Sequence, residues 1–327
     1  MMDTRERLLE FLSAAEGTWV SGDDLAGRVA ITRSAVWKHV RRLREEGCAI
    51  ESSPRKGYLL REPPDRLNAE IITSTLRTQV FGKREVVVFS RIESTNTSAK
   101  SMALAGAPEG TLVIADTQTS GRGRKGRTWY SPVRDGLYAS IILRPDLLLS
   151  QAGRIPIFAS LAVAESLVSL GLSGVSLKWP NDILVRGKKI AGILTEVGAE
   201  MDAVDYMIIG VGINVNTPKF PEKLQRSATS FFLETGKRVF RNMVLTRYLT
   251  LFEKYCRVYK RGVTGRLLTR WKDLAGIMGR HVVVESAGRT SGGLVQGLDE
   301  DGALIVQDPR AGRIRVFSGD VRLQKPS

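Results

Sequence analysis

Leu8, Leu9 and Leu12 recur at helical spacing, and residues 1–15 predict a first helix. The next apolar pair, Leu25 and Val29, lies four residues apart behind Ser21. Serine caps helix N-termini, and Asp24 suits the first turn. A short turn at residues 30–32 leads to a third periodic stretch, Val36, Val40 and Leu43, with Thr32 as its cap and Gly47 placed to end it. Two short helices joined by a tight turn make a helix-turn-helix candidate. "CAIESSPRKGYLL" then reads as a β-hairpin, a wing with Arg55 and Lys56 near its tip. Two successive prolines, Pro63 and Pro64, cannot continue a helix and mark a boundary. Residues 1–62 are therefore expected to form a winged helix-turn-helix domain.

Beyond that linker the pattern becomes mixed. "REVVVF" predicts a strand, followed by a helix that Ser94 or Thr95 can cap. "GTLVIA" and "GLYASIIL" predict two more strands, on either side of a loop rich in glycine and arginine. "IPIFASLAVAESLVSL" is a long apolar helix ended by Gly171. "VSLKWPND" gives a strand and a turn, "DILVRGKKIAGILTEVGAE" a hairpin with its tip at residues 186–188, and "DYMIIGVGINVN" an apolar strand. A helix over residues 241–260 follows, with Val244, Leu245, Tyr248, Leu251, Phe252 and Tyr255 as its stripe. Hairpins beside two long helices predict an α+β domain over residues 67–270 rather than a doubly wound sheet. Residues 271–327 show short strands broken by Gly, Asp and Pro turns, the pattern of a small β-domain.

Length and composition narrow the function. The chain has 327 residues, of which 43% are hydrophobic, enough for two or three cored domains. No uninterrupted apolar run reaches the roughly 18 residues of a membrane span, and the first ten residues do not resemble a signal peptide. Two distant cysteines, Cys48 and Cys256, imply a reducing compartment, hence the cytoplasm. No His/Cys pattern has metal-ligand spacing. The net charge of +15 favours an anionic partner. In the first domain that charge is placed rather than spread. Arg33, Ser34, Trp37, Lys38 and Arg41 share the outer face of the second helix of the motif, and no acid interrupts residues 33–44. Such a face can enter a major groove, with Arg55 and Lys56 of the wing on phosphates. The competing reading is a protein-interaction module with a solvated basic face.

The loop "TSGRGRKGRTWYSP" matches neither a P-loop nor a dinucleotide fingerprint. However, "GRGRKGRTWYSP", "KWPNDI", "KKIAGILTE" and "GVGINVN", in this order, resemble the signature segments of biotin-protein ligases. With the winged helix in front, nearly the whole chain resembles the bifunctional ligases that also repress the biotin operon; the likeness is loosest over residues 219–269. The resemblance implies a multidomain α+β protein: a winged helix-turn-helix, a catalytic domain with a mixed sheet, and an SH3-like C-terminal barrel. It implies synthesis of biotinyl-5'-AMP from biotin and Mg²⁺-ATP, then transfer of biotin to one lysine of a carboxylase carrier domain. It also implies a homodimer promoted by the adenylate that binds double-stranded operator DNA.

Residue by residue, the same resemblance assigns roles. Ser94, Thr95, Asn96 and Gln118 would meet the ureido ring of biotin. Gly121, Arg122, Gly123, Arg124, Gly126 and Arg127 would form the loop that closes over the adenylate, with Arg122 and Arg124 near the carboxylate and reacting phosphate. Trp129 would pack at the adenine side. Lys189 would hold first the carboxylate and then the α-phosphate; Lys188 is nearer the hairpin tip. Lys178 and Asn181 would reach ATP, and Asp182 would either hold Mg²⁺ through ATP or orient the nucleophile. Gly192, Gly212 and Asn214 would line the rest of the pocket. Arg310, Arg313 and Arg315 are candidates for ATP phosphates or the carrier. Two other functions stay open: a ligase whose winged helix regulates other genes or has lost repression, and a ligand-sensing transcription factor with an inactive ligase domain.

Overall fold

The structure is a computed structural model that describes residues 4–324 apart from 16, 46, 47, 63, 64, 66, 287 and 288. Gly47 and the two linker prolines thus lie outside the described residues. The chain divides into two compact units, Met1–Arg66 and Leu67–Ser327.

The first unit contains α1 (Thr4–Ala14), α2 (Gly22–Val29), α3 (Arg33–Glu45) and the antiparallel pair β1 (Ala49–Ser53) and β2 (Gly57–Glu62). Both expected caps form: Ser21 Oγ accepts from Asp24 N at 3.0 Å, and Thr32 Oγ1 from Ala35 N at 3.2 Å. Each cap satisfies a backbone donor that the helix itself cannot. Leu8, Leu12, Leu25, Val36, Val40 and Leu43 meet in one core. Burying these positions turns Arg33, Ser34, Trp37, Lys38 and Arg41 outward on α3, with Trp37 54% exposed. Arg55 and Lys56 lie at the wing tip.

The second unit continues with α4 (Ala69–Thr75), β3 (Val86–Phe89), α5 (Thr95–Leu104), β4 (Leu112–Ala115), β5 (Gly136–Leu143) and α6 (Arg154–Ser169). Next come β6 (Val175–Lys178), β7 (Asp182–Val185), β8 (Lys188–Glu200), β9 (Ala203–Asn214), α7 (Glu222–Gln225) and α8 (Phe231–Thr235). Two helices follow, α9 (Arg241–Lys260) and α10 (Gly265–Leu274). The strands form one mixed sheet in the order β3-β4-β5-β9-β8-β7-β6, parallel only between β3 and β4. Both of its faces are covered. Leu112, Ile114, Ile141 and Ile209 join the core under α6 and α9, whereas Val113, Ile142 and Ile208 meet Ala99 and Ala103 of α5. This accounts for the apolar run of β4 and for that of β5, which Ser140 alone interrupts with a polar side chain. The stretch Leu149–Ser169, which includes α6, has the length and apolarity of a membrane span, but 67% of its window is buried inside this core.

The expected seam between residues 270 and 271 falls inside α10. Leu267, Leu268 and Trp271 give that helix a buried stripe, and Trp271 Nε1 donates to Ser160 Oγ of α6 at 3.0 Å. The last strands are β10 (His281–Ser286), β11 (Arg289–Leu298), β12 (Leu304–Asp308), β13 (Gly312–Val316) and β14 (Asp320–Leu323). They form an antiparallel sheet in the order β13-β12-β11-β10-β14. Its buried residues, Val282, Val295, Leu304 and Val306 among them, run continuously into the larger core. The β11–β12 turn is bolted to the seven-stranded layer: Trp179 Nε1, just after β6, donates to Gly302 O at 3.1 Å, and Arg154 of α6 pairs with Asp301 at 2.8 Å.

Candidate active site

The segment after β4 is a hairpin in its own right. Its stem joins residues 116–118 to 131–136: Arg134 N donates to Asp116 O, Thr117 Oγ1 to Ser131 O, and Gln118 Nε2 to Ser131 Oγ. Its outer part closes through Trp129 N to Gly121 O at 2.8 Å and Gly123 N to Arg127 O at 2.7 Å. Gly121 sits where an added Cβ would meet Ser131 Oγ and Trp129 O at 2.7 Å, so the tight stem needs glycine there.

This hairpin covers a cavity of about 290 Å³ whose floor is the β8–β9 pair. That size is near the lower end for small-molecule sites. At one end stand Ser94, Thr95, Asn96 and Gln118. Thr95 N donates to Gln118 Oε1 at 2.9 Å, which fixes the amide. Asn96 Nδ2 donates to Glu196 Oε2 at 2.9 Å, and Asn96 Oδ1 accepts from Ser140 Oγ at 2.7 Å. Ser94 begins α5, yet its hydroxyl makes no cap bond; Oγ is buried with no hydrogen-bond partner among the described residues.

The cations are each met by an oxygen of the protein, Lys189 and Arg124 at the other end and Arg122 beside Asn96 through their shared Glu196. Lys189 Nζ lies 2.6 Å from Asp182 Oδ1 and 5.3 Å from the Trp129 ring centre. Arg122 pairs with Glu196 at 3.1 Å, and Arg124 Nη1 donates to Asn181 Oδ1 at 3.1 Å. At the hairpin tip Lys125 and Arg127 both reach Asp320 on β14, at 3.0 and 3.1 Å. The Lys125 hydrogen bond and the neighbouring Arg127, Lys125 and Arg124 charges hold the Asp320 carboxyl below its ordinary range, against a smaller opposing effect of burial. The Trp129 ring lies over Gly212, where any Cβ would strike it, and close to Gly192. Asn214 completes the wall and donates to Thr229 O at 3.0 Å.

Among the expected site residues, Gly121 and Lys178 do not line the cavity, nor do Gly126, Arg310, Arg313 or Arg315. Lys178 sits on β6 opposite Asp182 in the ladder. Arg315 is taken up by Asp299 and Asp301, at 2.6 and 3.0 Å, because the β11–β12 turn carries its own carboxylates. Sequence reading missed Asp320 and the wall formed by Phe220, Leu224, Ser227 and Ala228, and also Glu196, which does not line the cavity but holds Asn96 and Arg122. That wall is held against β8 by Lys189 N to Ser227 O and Thr229 N to Lys189 O, at 2.8 and 2.9 Å. Among the described residues no group of three His, Cys, Asp or Glu side chains is placed to hold a metal.

Residues 88–214 match the model of the biotin/lipoate A/B protein ligase family, residues 4–59 an HTH domain, and residues 277–323 the biotin protein ligase C-terminal domain. The chain is 37% identical over 321 residues to the bifunctional ligase/repressor BirA of Bacillus subtilis, with 98% of each chain covered. The chain belongs to the bifunctional biotin ligase–repressor family. Its Escherichia coli member, also a bifunctional ligase/repressor, is 29% identical over 90% of this chain and 89% of its own. Among solved structures, the biotin protein ligase of Aquifex aeolicus in complex with biotin and ATP aligns with 74% of this chain and all of its own. That alignment has a TM-score of 0.64 and 29% identity. Membership in the ligase–repressor family carries both halves of the architecture: a biotin-protein ligase and an attached DNA-binding repressor domain.

Proposed function

We propose that the cavity under the Gly-Arg hairpin joins biotin to ATP and keeps the product until a carrier lysine takes it. The observation that carries this assignment is the division of the cavity wall. Short donors and acceptors line one end, where Arg122 adjoins Asn96 through their shared Glu196, and Lys189, Arg124 and Arg127 line the other. A ureido ring has one carbonyl and two N–H groups and suits Ser94, Thr95, Asn96 and Gln118. The carboxylate and phosphates suit the cationic end. In the first step a biotin carboxylate oxygen attacks the α-phosphorus and its bond to pyrophosphate breaks. Lys189 and Arg124 neutralise the charge that builds on the phosphoryl oxygens, exchanging Asp182 and Asn181 for the substrate. Asp182 is then free to face Mg²⁺ that arrives with ATP; one carboxylate suffices for an ion held mainly by phosphates and water. In the second step a lysine amine of the carrier attacks the acyl carbon and AMP leaves. The hairpin, with Trp129 beneath it, keeps water from that mixed anhydride in between.

In the same reading α3 and the wing bind operator DNA as a homodimer that the adenylate promotes. Arg33, Ser34, Trp37, Lys38 and Arg41 face the groove, and Arg55 and Lys56 the backbone. The test of the site is pyrophosphate release from Mg²⁺-ATP. It should require biotin, and Lys189→Ala should lower its rate by about 100-fold or more with the fold kept. Release without biotin would overturn the assignment of the cavity; near-normal turnover in Lys189→Ala would move the role off that lysine.

A further inference from the structure

The geometry points to Arg241 as a positioning residue. Its buried guanidinium ties together the two stems of the Gly-Arg hairpin and thereby sets how firmly the hairpin retains the adenylate. This rests on the proposed role of the cavity.

Arg241 opens α9 and is completely buried. A buried guanidinium carries a desolvation cost, and an apolar residue of similar size in its place is often neutral or better. Its position here is explained by what it joins. Nη2 donates to Asp116 Oδ1 at 2.8 Å, and Nη1 to Gly136 O at 3.2 Å. Asp116 directly follows β4 and Gly136 begins β5, so one planar fork spans the two ends of the hairpin. The second carboxylate oxygen of Asp116 faces Arg134 Nε at 3.8 Å, while Arg134 N donates to Asp116 O at 3.0 Å. Arg134 itself holds φ at +60°, a conformation unfavourable for a non-glycine residue that persists where surroundings impose it.

The path from this clamp to the cavity is short. Two residues beyond Asp116, Gln118 bonds across the stem to Ser131 Oγ and across to Thr95 N at the head of α5. The other stem runs from Ser131 back to Trp129, whose ring lies over Gly212. Loss of the clamp lets the stems separate and carries Gln118 and Trp129 with them, while Lys189, Asp182 and Asn214 keep their places on the sheet.

The test uses the full chain with Arg241→Lys, which keeps the charge without the fork. Asp116→Asn keeps the volume without the charge, and Lys260→Gln, whose pair with Glu109 lies at the far end of α9 and outside the stem, serves as control. Two quantities are measured: the dissociation rate of preformed biotinyl-AMP, and the trypsin cleavage rate between Arg122 and Arg127 with no substrate added. Both clamp variants should release adenylate at least tenfold faster and be nicked faster, with its synthesis changed less than its release; the control should match wild type. A lower melting temperature with release and nicking unchanged would make Arg241 merely structural and overturn the inference. Should Arg241→Lys fail to fold, Asp116→Asn decides between the same two outcomes. If the wild type makes no adenylate, the cavity assignment fails, while the nicking rates still test the clamp.

Discussion

Ser94 is 1% exposed, and its buried hydroxyl meets no hydrogen-bond partner among the described residues. A buried polar atom in that position costs the fold and suits a ligand that supplies the missing hydrogen bond. Ser94→Ala should therefore leave the melting temperature unchanged or slightly higher and weaken biotin binding about tenfold, roughly 1.4 kcal/mol. Calorimetry of both quantities checks it; weaker folding with unchanged affinity would make the hydroxyl structural. Gly210 gives the opposite case. A Cβ there would collide with Asn96 Oδ1, whose amide also links Glu196 and Ser140. Gly210→Ala should displace Asn96 and lower both stability and biotin affinity, read from the same two measurements. Lys189, Arg124 and Trp129 came from the resemblance of the short segments that carry them, not from periodicity or a generic motif, and all three line the cavity. Glu196 ends the "KKIAGILTE" segment, yet nothing nearby in the chain shows that its partners are Asn96 and Arg122, 100 and 74 residues away.

At the scale of elements, the strands, the hairpin tip at residues 186–188 and helices α6 and α9 follow the periodicity closely, because each buries a regular face. α10 did not stand out. Its apolar positions are few, and its docking depends on Trp271 finding Ser160 on a distant helix. The Gly-Arg segment reads as an open loop in sequence, since its cross-links are made by backbone and by Asp320. The Asp320 tie has a defined pH dependence. A carboxyl with a lowered folded value stabilises the fold above its unfolded value and loses that contribution as pH falls through the folded one. The melting temperature of wild type should exceed that of Asp320→Asn by about 1–2 °C near neutrality, a small gap because solvent screens the pair. That gap should narrow through the ordinary aspartate range and vanish at lower pH. A gap that widens on acidification would contradict the assigned direction.

For the whole molecule, the net charge of +15 is unevenly divided: residues 1–66 contain 12 Lys or Arg against 11 Asp or Glu. The DNA-binding unit is thus nearly neutral, and its cations count only where α3 and the wing collect them. One such face makes few phosphate contacts, so tight operator binding calls for two copies on two half-sites. Sedimentation should show stronger self-association with biotinyl-AMP than without it, and DNA affinity at fixed salt should rise in parallel. Association and affinity both indifferent to the adenylate would leave the ligase intact and remove the proposed co-repressor role. The Asp320 tie also has a consequence for biosynthesis. Lys125 precedes its carboxylate partner by 195 residues. At about 5–20 residues per second, a ribosome needs roughly ten to forty seconds to bridge that interval. Throughout it the nascent chain carries the cationic segment but not the strand that fastens its tip. In the proposed role of the cavity, secure custody of a reactive acyl phosphate is therefore among the last properties the growing polypeptide acquires.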